Sequence, residues 1–490
     1  MERRTGNIAL LSALFLTSFM ALLCMSIVNV ALPAMQADLS AEVADLQWIV
    51  NSYTLCLSSL VLGGGALGDR YGRRRVLAGG VLLFLVGSLV CALAGHIGVL
   101  IAGRVVQGVG AALLVPGTMA VLGHSFPDPA QRARVLGLWG LFGGMAPVVG
   151  PVLGGALVDH LGWPSIFLLN LPLGLLALVL VLRAVPESAD PDQASLDPAG
   201  QLLAAAALAG LCYALIDAGQ HGWHDTTWWL LAGSAVGIVA FLWVEHRQPH
   251  PMLPVRLFAD RTFAATAGVS LLLGFGAYGA FVFLPMYLQQ VQGHSAGRSG
   301  LELVPMTLAV VIASPLAGRL TARLGPRPPL ALGYGCIALG LFGMVTLGPS
   351  TGYPLVGTLF ATTGFGMGLV MTPASAAALA SAPRQRSGAA SAVVNAARQT
   401  GTALGVALLG ALLTARAAAV GPLATPEETV LSGLHAAFLV AGLASAGAVA
   451  VALLVRGAPA LRDPAPAGVP ARHTTSTAPR HPMAGASRRG

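Results

Sequence analysis

The chain contains no lysine, and only 9% of its 490 residues are charged, against about 25% in an ordinary soluble domain. That shortage excludes a water-solvated fold. With 55% hydrophobic residues and a mean hydropathy of +0.76, the chain has more apolar surface than an aqueous core can hide, and a lipid bilayer is the solvent it implies. Cysteine is also scarce: Cys24, Cys56, Cys91, Cys212 and Cys336 lie in or beside apolar runs. Their spacing suits no metal site, so buried single thiols are expected. A phosphate loop of the Gly-Lys-Ser/Thr type is absent, which excludes direct use of ATP. There is no nucleophile–base pair to suggest an enzyme, and no cofactor is expected. The net charge of +8 sits on arginines in short loops, so it reads as membrane topology and not as a nucleic-acid surface.

What is present is a series of long charge-free runs. A spanning helix needs about 20 apolar residues, and the gaps between charges predict fourteen spans: 8–32, 47–68, 76–95, 97–123, 135–158, 164–182, 199–217, 227–245, 263–288, 300–322, 328–348, 353–379, 387–414 and 432–456. Arg3 and Arg4 precede a charge-free stretch over 5–37, longer than the apolar core of a cleavable signal, so a retained first span is expected. Apart from Arg104 and Arg398 deep inside spans, and Arg298 and Arg416 on the outside, every arginine then falls on the side of the N-terminus, Arg319 and Arg456 at the span ends there. By the positive-inside rule that side is cytoplasmic, with both termini on it. The loop over 183–198 runs against this pattern, with one arginine beside Glu187, Asp190, Asp192 and Asp197.

A charged turn repeats. Gly65-Ala66-Leu67-Gly68-Asp69-Arg70-Tyr71-Gly72-Arg73-Arg74 between spans 2 and 3 is echoed 253 positions later, at Gly318 to Arg327 between spans 10 and 11. The copies share Gly65/Gly318, Leu67/Leu320, Arg70/Arg323, Gly72/Gly325 and Arg74/Arg327, but Ala322 stands where the first has Asp69. The expected fold is an all-α integral membrane protein of two six-helix bundles, 1–182 and 263–456. A linker over 183–262 inserts two extra transmembrane helices, and the cytoplasmic tail over 457–490 is expected to be disordered. In the first turn, glycine permits a tight reversal. Asp69 is placed to meet a helix N-terminus of the other half, and Arg70, Arg73 and Arg74 to meet carboxylates or lipid headgroups.

Within the spans a few polar residues stand out. Arg104, Gln107, Gly108 and Ala111 share one face of span 4. A charge there marks either a cavity or a bond to neighbouring carbonyls. Asn395, Arg398, Gln399 and Thr402 form a similar stripe on span 13. Asn29, Asn51, Tyr53, Asn170 and Gln289 are weaker candidates for the same lining. Span 5 carries Gly140, Gly144, Pro147, Pro151 and Gly155 on one face, a seam for close packing and bending. No acidic residue falls at mid-span. Glu302 and His435, near span ends, are the titratable candidates left for proton coupling beside Arg104.

These motifs resemble the Major Facilitator Superfamily, specifically its fourteen-span drug/proton antiporter branch. Gly65 to Arg74 resembles the signature loop between spans 2 and 3. Arg104 with Gln107, Gly108 and Gly110 resembles the span-4 motif implicated in proton transfer, and Gly150, Pro151, Gly154 and Gly155 resemble the antiporter motif of exporters. The resemblance implies alternating access, driven by proton influx and expelling small compounds from the cytoplasm. An importer on the same fold, or a non-transport membrane sensor or enzyme, are the alternatives. In one departure Cys24 stands where the branch usually has Asp. With two arginines in the spans and no partnering acid, the interior is positive, and a neutral or anionic substrate is favoured. The expected partners are the bilayer and that small molecule, and the expected state is a monomer.

Overall fold

Lipid offers no hydrogen bonds, so a spanning segment closes its backbone bonds internally, and helices result. The computed structural model describes residues 2–126, 128–189, 197–248, 253, 255–382, 387–420 and 425–455, and no strand occurs among them. The first half comprises α1 (Glu2–Asp38), α2 (Val43–Tyr71), α3 (Arg73–Ala92), α4 (Ile97–Ser125), α5 (Pro129–Leu161) and a sixth span split into α6 (Ser165–Leu168) and α7 (Asn170–Ala184). A hairpin of α8 (Pro198–His221) and α9 (Asp225–Arg247) follows. The next span starts as α10 (Arg261–Leu273). It then interleaves two π-helical turns, Gly274–Tyr278 and Tyr287–Val291, with α11 (Gly279–Phe281) and α12 (Leu284–Met286). α13 (Ala296–Glu302), α14 (Val304–Leu324), α15 (Arg327–Met344), α16 (Tyr353–Ser381), α17 (Ser387–Ala419) and α18 (Pro426–Ala452) complete the chain.

Among the described residues, twelve helical segments are long and apolar enough to cross a bilayer. α5 and α15 stand where spans 5 and 11 are expected. α15 is diluted at its start by Arg327, Pro328 and Pro329. The tail expected over 457–490 lies outside the described residues.

The halves use one packing scheme twice. α3 and α2 both pack on α4, and α1 packs on α5 and α7; in the second half α15 and α14 pack on α16, and α10 packs on α17 and α18. Small residues bring these backbones together in lipid: a Cβ on Gly87 would stand 2.6 Å from the Gln107 amide nitrogen. The repeated turn repeats its geometry too. Gly72 and Gly325 have φ of 102° and 81°, a region open to glycine and strained for other residues.

The inserted hairpin is more than a tether. α8 packs on both α2 and α17, and so lies across the line where the halves meet. α9 leans on α8 and leaves Trp228, Trp229, Val236, Val239 and Trp243 exposed on its outer face, as a lipid-facing helix does.

Candidate functional site

At the turn, Asp69 does not reach a helix of the other half as expected. Its Oδ1 pairs with Arg73 at 2.8 Å, one helical turn along its own half. The helix N-terminus that is capped here is that of α3, and Glu187 caps it. Glu187 Oε1 accepts from the Arg74 backbone N–H at 3.1 Å, and its Oε2 lies 3.6 Å from the guanidinium Nε of both Arg74 and Arg75. The Arg73 N–H donates to the Ser188 carbonyl at 2.9 Å. This explains the acidic loop that ran against the arginine pattern: its carboxylate meets the positive end of a helix and its adjoining arginines. Arg70 stacks on Tyr71, 5.7 Å from the ring centroid.

In the first half, Arg104 is 1% exposed and bonds a neighbouring carbonyl, one of its two sequence alternatives. Its Nε donates to the Ile49 carbonyl at 3.0 Å, and its Nη1 donates to Gln107 Oε1 at 2.9 Å and to Cys24 Sγ at 3.2 Å. The Tyr53 ring lies beneath it at 4.3 Å. Among the described residues no carboxylate pairs with it. Gln107 extends the network by donating to Ser88 Oγ at 2.7 Å, and Asn170 lies beside the thiol. Tyr53 donates its hydroxyl to the Ala21 carbonyl at 3.0 Å. Asn51, fully buried, has no partner for either amide atom among the described residues, and Asn29 Oδ1 has none either. Buried polar atoms left unpaired in this way are costly.

In the second half, Arg398 donates from Nη2 to Asn395 Oδ1 at 2.7 Å and stacks on Tyr278 at 5.1 Å. Gln399 beside it reaches across to Met25 of α1, with Nε2 3.7 Å from the sulfur. The other two coupling candidates stand apart from Arg104. Glu302, near the start of the tenth span, pairs with His294 at 2.7 Å and Arg298 at 2.9 Å. The His435 Nε2 meets the Leu347 carbonyl at 2.8 Å. The three share no partner among the described residues.

The halves are joined at the end away from the Gly65–Arg74 turn. Asp159 Oδ2, at the end of α5, accepts from Ser295 Oγ at 2.7 Å and from the Gly297 N–H at 2.9 Å. Gln289 donates to the Val30 carbonyl at 2.9 Å, and Gln290 to Gln36 at 2.8 Å. The antiporter-like motif divides its faces: a Cβ on Gly154 would meet Ile27 Cγ1 at 2.6 Å and Gly150 abuts Ser26, both on α1. Gly155 and Pro151 instead press on the backbone of Ala296 and Gly300. A recess of about 530 Å³ opens beside this seam, lined by Gln36, Asp159, Gln289, Gln290 and His294 among others.

Sequence reasoning missed Glu187, Tyr278, His294 and the cross-half role of Asp159. For Asp159 a signal was available: it follows the Gly154-Gly155 motif by one helical turn.

Comparison with known proteins agrees with this architecture. The Major Facilitator Superfamily model matches residues 14–406. The Multidrug resistance protein Stp of Mycobacterium tuberculosis is 38% identical over 399 residues, covering 81% of this chain and 74% of that protein. The Tetracenomycin C resistance and export protein of Streptomyces glaucescens is 35% identical with the same coverage. The Methylenomycin A resistance protein of Streptomyces coelicolor is 34% identical over 430 residues, 86% of this chain and 90% of that one. The fold matches the crystal structure of a bacterial homolog to human lysosomal transporter, Spinster, in inward-facing and unoccupied conformation, with a TM-score of 0.65 at 18% identity, covering 93% of this chain and 99% of that one. It also matches the peptide transporter POT in complex with sulfate, with a TM-score of 0.63 at 19% identity, covering 92% and 96%. By its motifs, its repeated packing and these matches, the chain belongs to the Major Facilitator Superfamily.

Proposed function

We propose that the protein is a secondary exporter of a small antibiotic-like or drug-like compound, working by proton antiport and alternating access. The observation that carries the reading is the seam at Pro151 and Gly155. The motif typical of exporters is the surface on which the two halves close one end, while their polar interior holds two arginines without a paired carboxylate among the described residues. Relatives named for multidrug, tetracenomycin and methylenomycin resistance support the substrate class. We read the chain as fourteen spans in two six-helix bundles with an inserted pair. We place it as a monomer in the cytoplasmic membrane with both termini inside. It acts as a carrier and needs no cofactor beyond the proton gradient. The positive interior favours neutral or anionic substrates over lipophilic cations.

Inside-out vesicles test this. An acid-inside pH gradient is expected to drive accumulation of a carboxylate-bearing antibiotic more than of a lipophilic cation, and Arg104→Ala is expected to abolish it. Accumulation that ignores the gradient would refute antiport. Normal transport by Arg104→Ala would make that residue purely structural.

A further inference from the structure

We propose that Arg398, Tyr278 and Asn395 form a clamp for an aromatic organic anion, and that Tyr278 is a substrate-selecting residue of the second half. The inference deepens the exporter reading and rests on it for the direction of transport, but not for binding. Arg398 lies about 17 Å into α17 at 1.5 Å per residue, within apolar sequence. A charge at such a depth is expensive unless it is compensated. The compensation is incomplete. Asn395 takes one N–H of Nη2, the Tyr278 face lies 5.1 Å away, and among the described residues no carboxylate pairs with the guanidinium. Its Nε and Nη1 carry no hydrogen-bond partner among those residues, and Asn395 takes only one of the two Nη2 hydrogens, so one complete edge, Nη2 with either Nε or Nη1, is left to suit a bidentate oxyanion. Arg104, by contrast, is sealed at 1% exposure and spends Nε and Nη1 on protein acceptors. Arg398 is only half-buried.

The backbone is shaped to present Tyr278. Residues Gly274–Tyr278 form a π-helical turn, a distortion that recurs at functional sites. The turn is fixed by close backbone contact. Gly274 presses on the Arg398 carbonyl, and its Cβ position lies 2.7 Å from the Thr402 nitrogen; Gly276 packs against Ser445. Re-phasing the helix there brings the Tyr278 ring over Arg398.

The surroundings fit an aromatic body. Tyr278 donates its hydroxyl to the Met371 sulfur at 3.4 Å, and Gln399 contacts the Met25 sulfur at 3.7 Å. Thioethers from both halves therefore touch the residues around the cation, one at Tyr278 and one at Gln399, and sulfur packs well against aromatic rings. Gln399 Oε1, buried and without a donor among the described residues, leaves an acceptor for a ligand hydroxyl. Because Met25 belongs to α1 and Arg398 to α17, an anion held here contacts both halves.

Equilibrium binding to the purified full-length protein in nanodiscs tests the clamp, using naphthoate, naphthamide and naphthylmethylammonium as probes of one shape and three charges. Wild type is expected to prefer naphthoate. Arg398→Gln is expected to weaken naphthoate by about tenfold or more while leaving naphthamide within about twofold. Tyr278→Leu is expected to weaken both by a similar factor, and Arg398→Lys to retain part of the preference. Thermal midpoints of each variant establish that it is folded. No naphthoate binding by wild type, a preference for the ammonium, or an equal loss of naphthoate and naphthamide in folded Arg398→Gln would overturn the proposal. Charge-selective binding without gradient-driven vesicle uptake would instead refute only the exporter reading.

Discussion

At the residue scale the decisive feature is a buried cation with no counter-charge among the described residues. Arg104 lies 3.2 Å from the Cys24 thiol and relies on a carbonyl, an amide oxygen, a sulfur and an aromatic face. Each is a weaker partner than a carboxylate. Replacing Cys24 by Asp places a carboxylate against a guanidinium that is already desolvated, so the cation's share of the burial cost has been met by the fold and only the carboxylate's own desolvation is left for the ion pair to offset. Cys24→Asp is therefore expected to stabilise the protein by about 2 kcal/mol, read as a raised thermal midpoint in detergent. Cys24→Ser is expected to leave that midpoint near wild type. An unchanged or lowered midpoint in Cys24→Asp would mean that the existing network already compensates Arg104. Arg398 is the counterpart in the second half. It too stacks on a tyrosine and bonds a side-chain amide, but it is left open on one side.

At the element scale, glycine decides where helices touch and where they part. In α5 the motif puts Gly150 and Gly154 against α1 and puts Gly155 and Pro151 against the start of the tenth span. One helix thus belongs to its own bundle and also forms the seam to the other. A Cβ on Gly300 would collide with the Pro151 carbonyl and come 3.3 Å from the Val152 Cα. Gly300→Val is expected to loosen this end without unfolding either bundle. Spin labels placed across the seam, read by pulsed electron resonance, should show a longer and broader distance distribution, and transport should fall. A wild-type distribution would show that α13 absorbs the side chain by shifting. The π-helical turn at Gly274–Tyr278 is the other element-scale device, since no regular helix through α10 would keep the same register.

At the scale of the molecule, the hydrogen bonds between the halves cluster at one end, with Gln399 to Met25 deeper in. Asp159 is central there. Its carboxylate meets Ser295 Oγ and the Gly297 N–H at the start of α13. A rocking mechanism requires this contact to break in every cycle. Asp159→Cys combined with Ser295→Cys, oxidised to a disulfide, is expected to abolish vesicle accumulation, and reductant is expected to restore it. The native thiols are dispersed through the helices and form no disulfide, so the single-cysteine variants serve as controls. Full transport by the cross-linked protein would refute alternating access through this seam. α8, packed on both α2 and α17, must follow that motion or act as its pivot.

The sequence alone determined the membrane class, the helical positions and the repeat. Charge-free runs of spanning length have one solution in lipid, and a glycine-bounded charged turn between them is a local signal. It also singled out Arg104, Gln107, Cys24, Arg398 and the span-5 glycines, because a charge or a small residue in an apolar run is conspicuous in one dimension. Only the tertiary structure decided their partners. Asp69 was expected to cap a helix of the other half and instead pairs with Arg73, while Glu187, 113 positions from Arg74, caps α3. Asp159 meets Gly297 across 138 positions. Tyr278 meets Arg398 from the end of a π-helical turn, across 120 positions. Such pairings depend on how helices rotate and cross, and that is set by side-chain packing over the whole bundle, which no local pattern encodes.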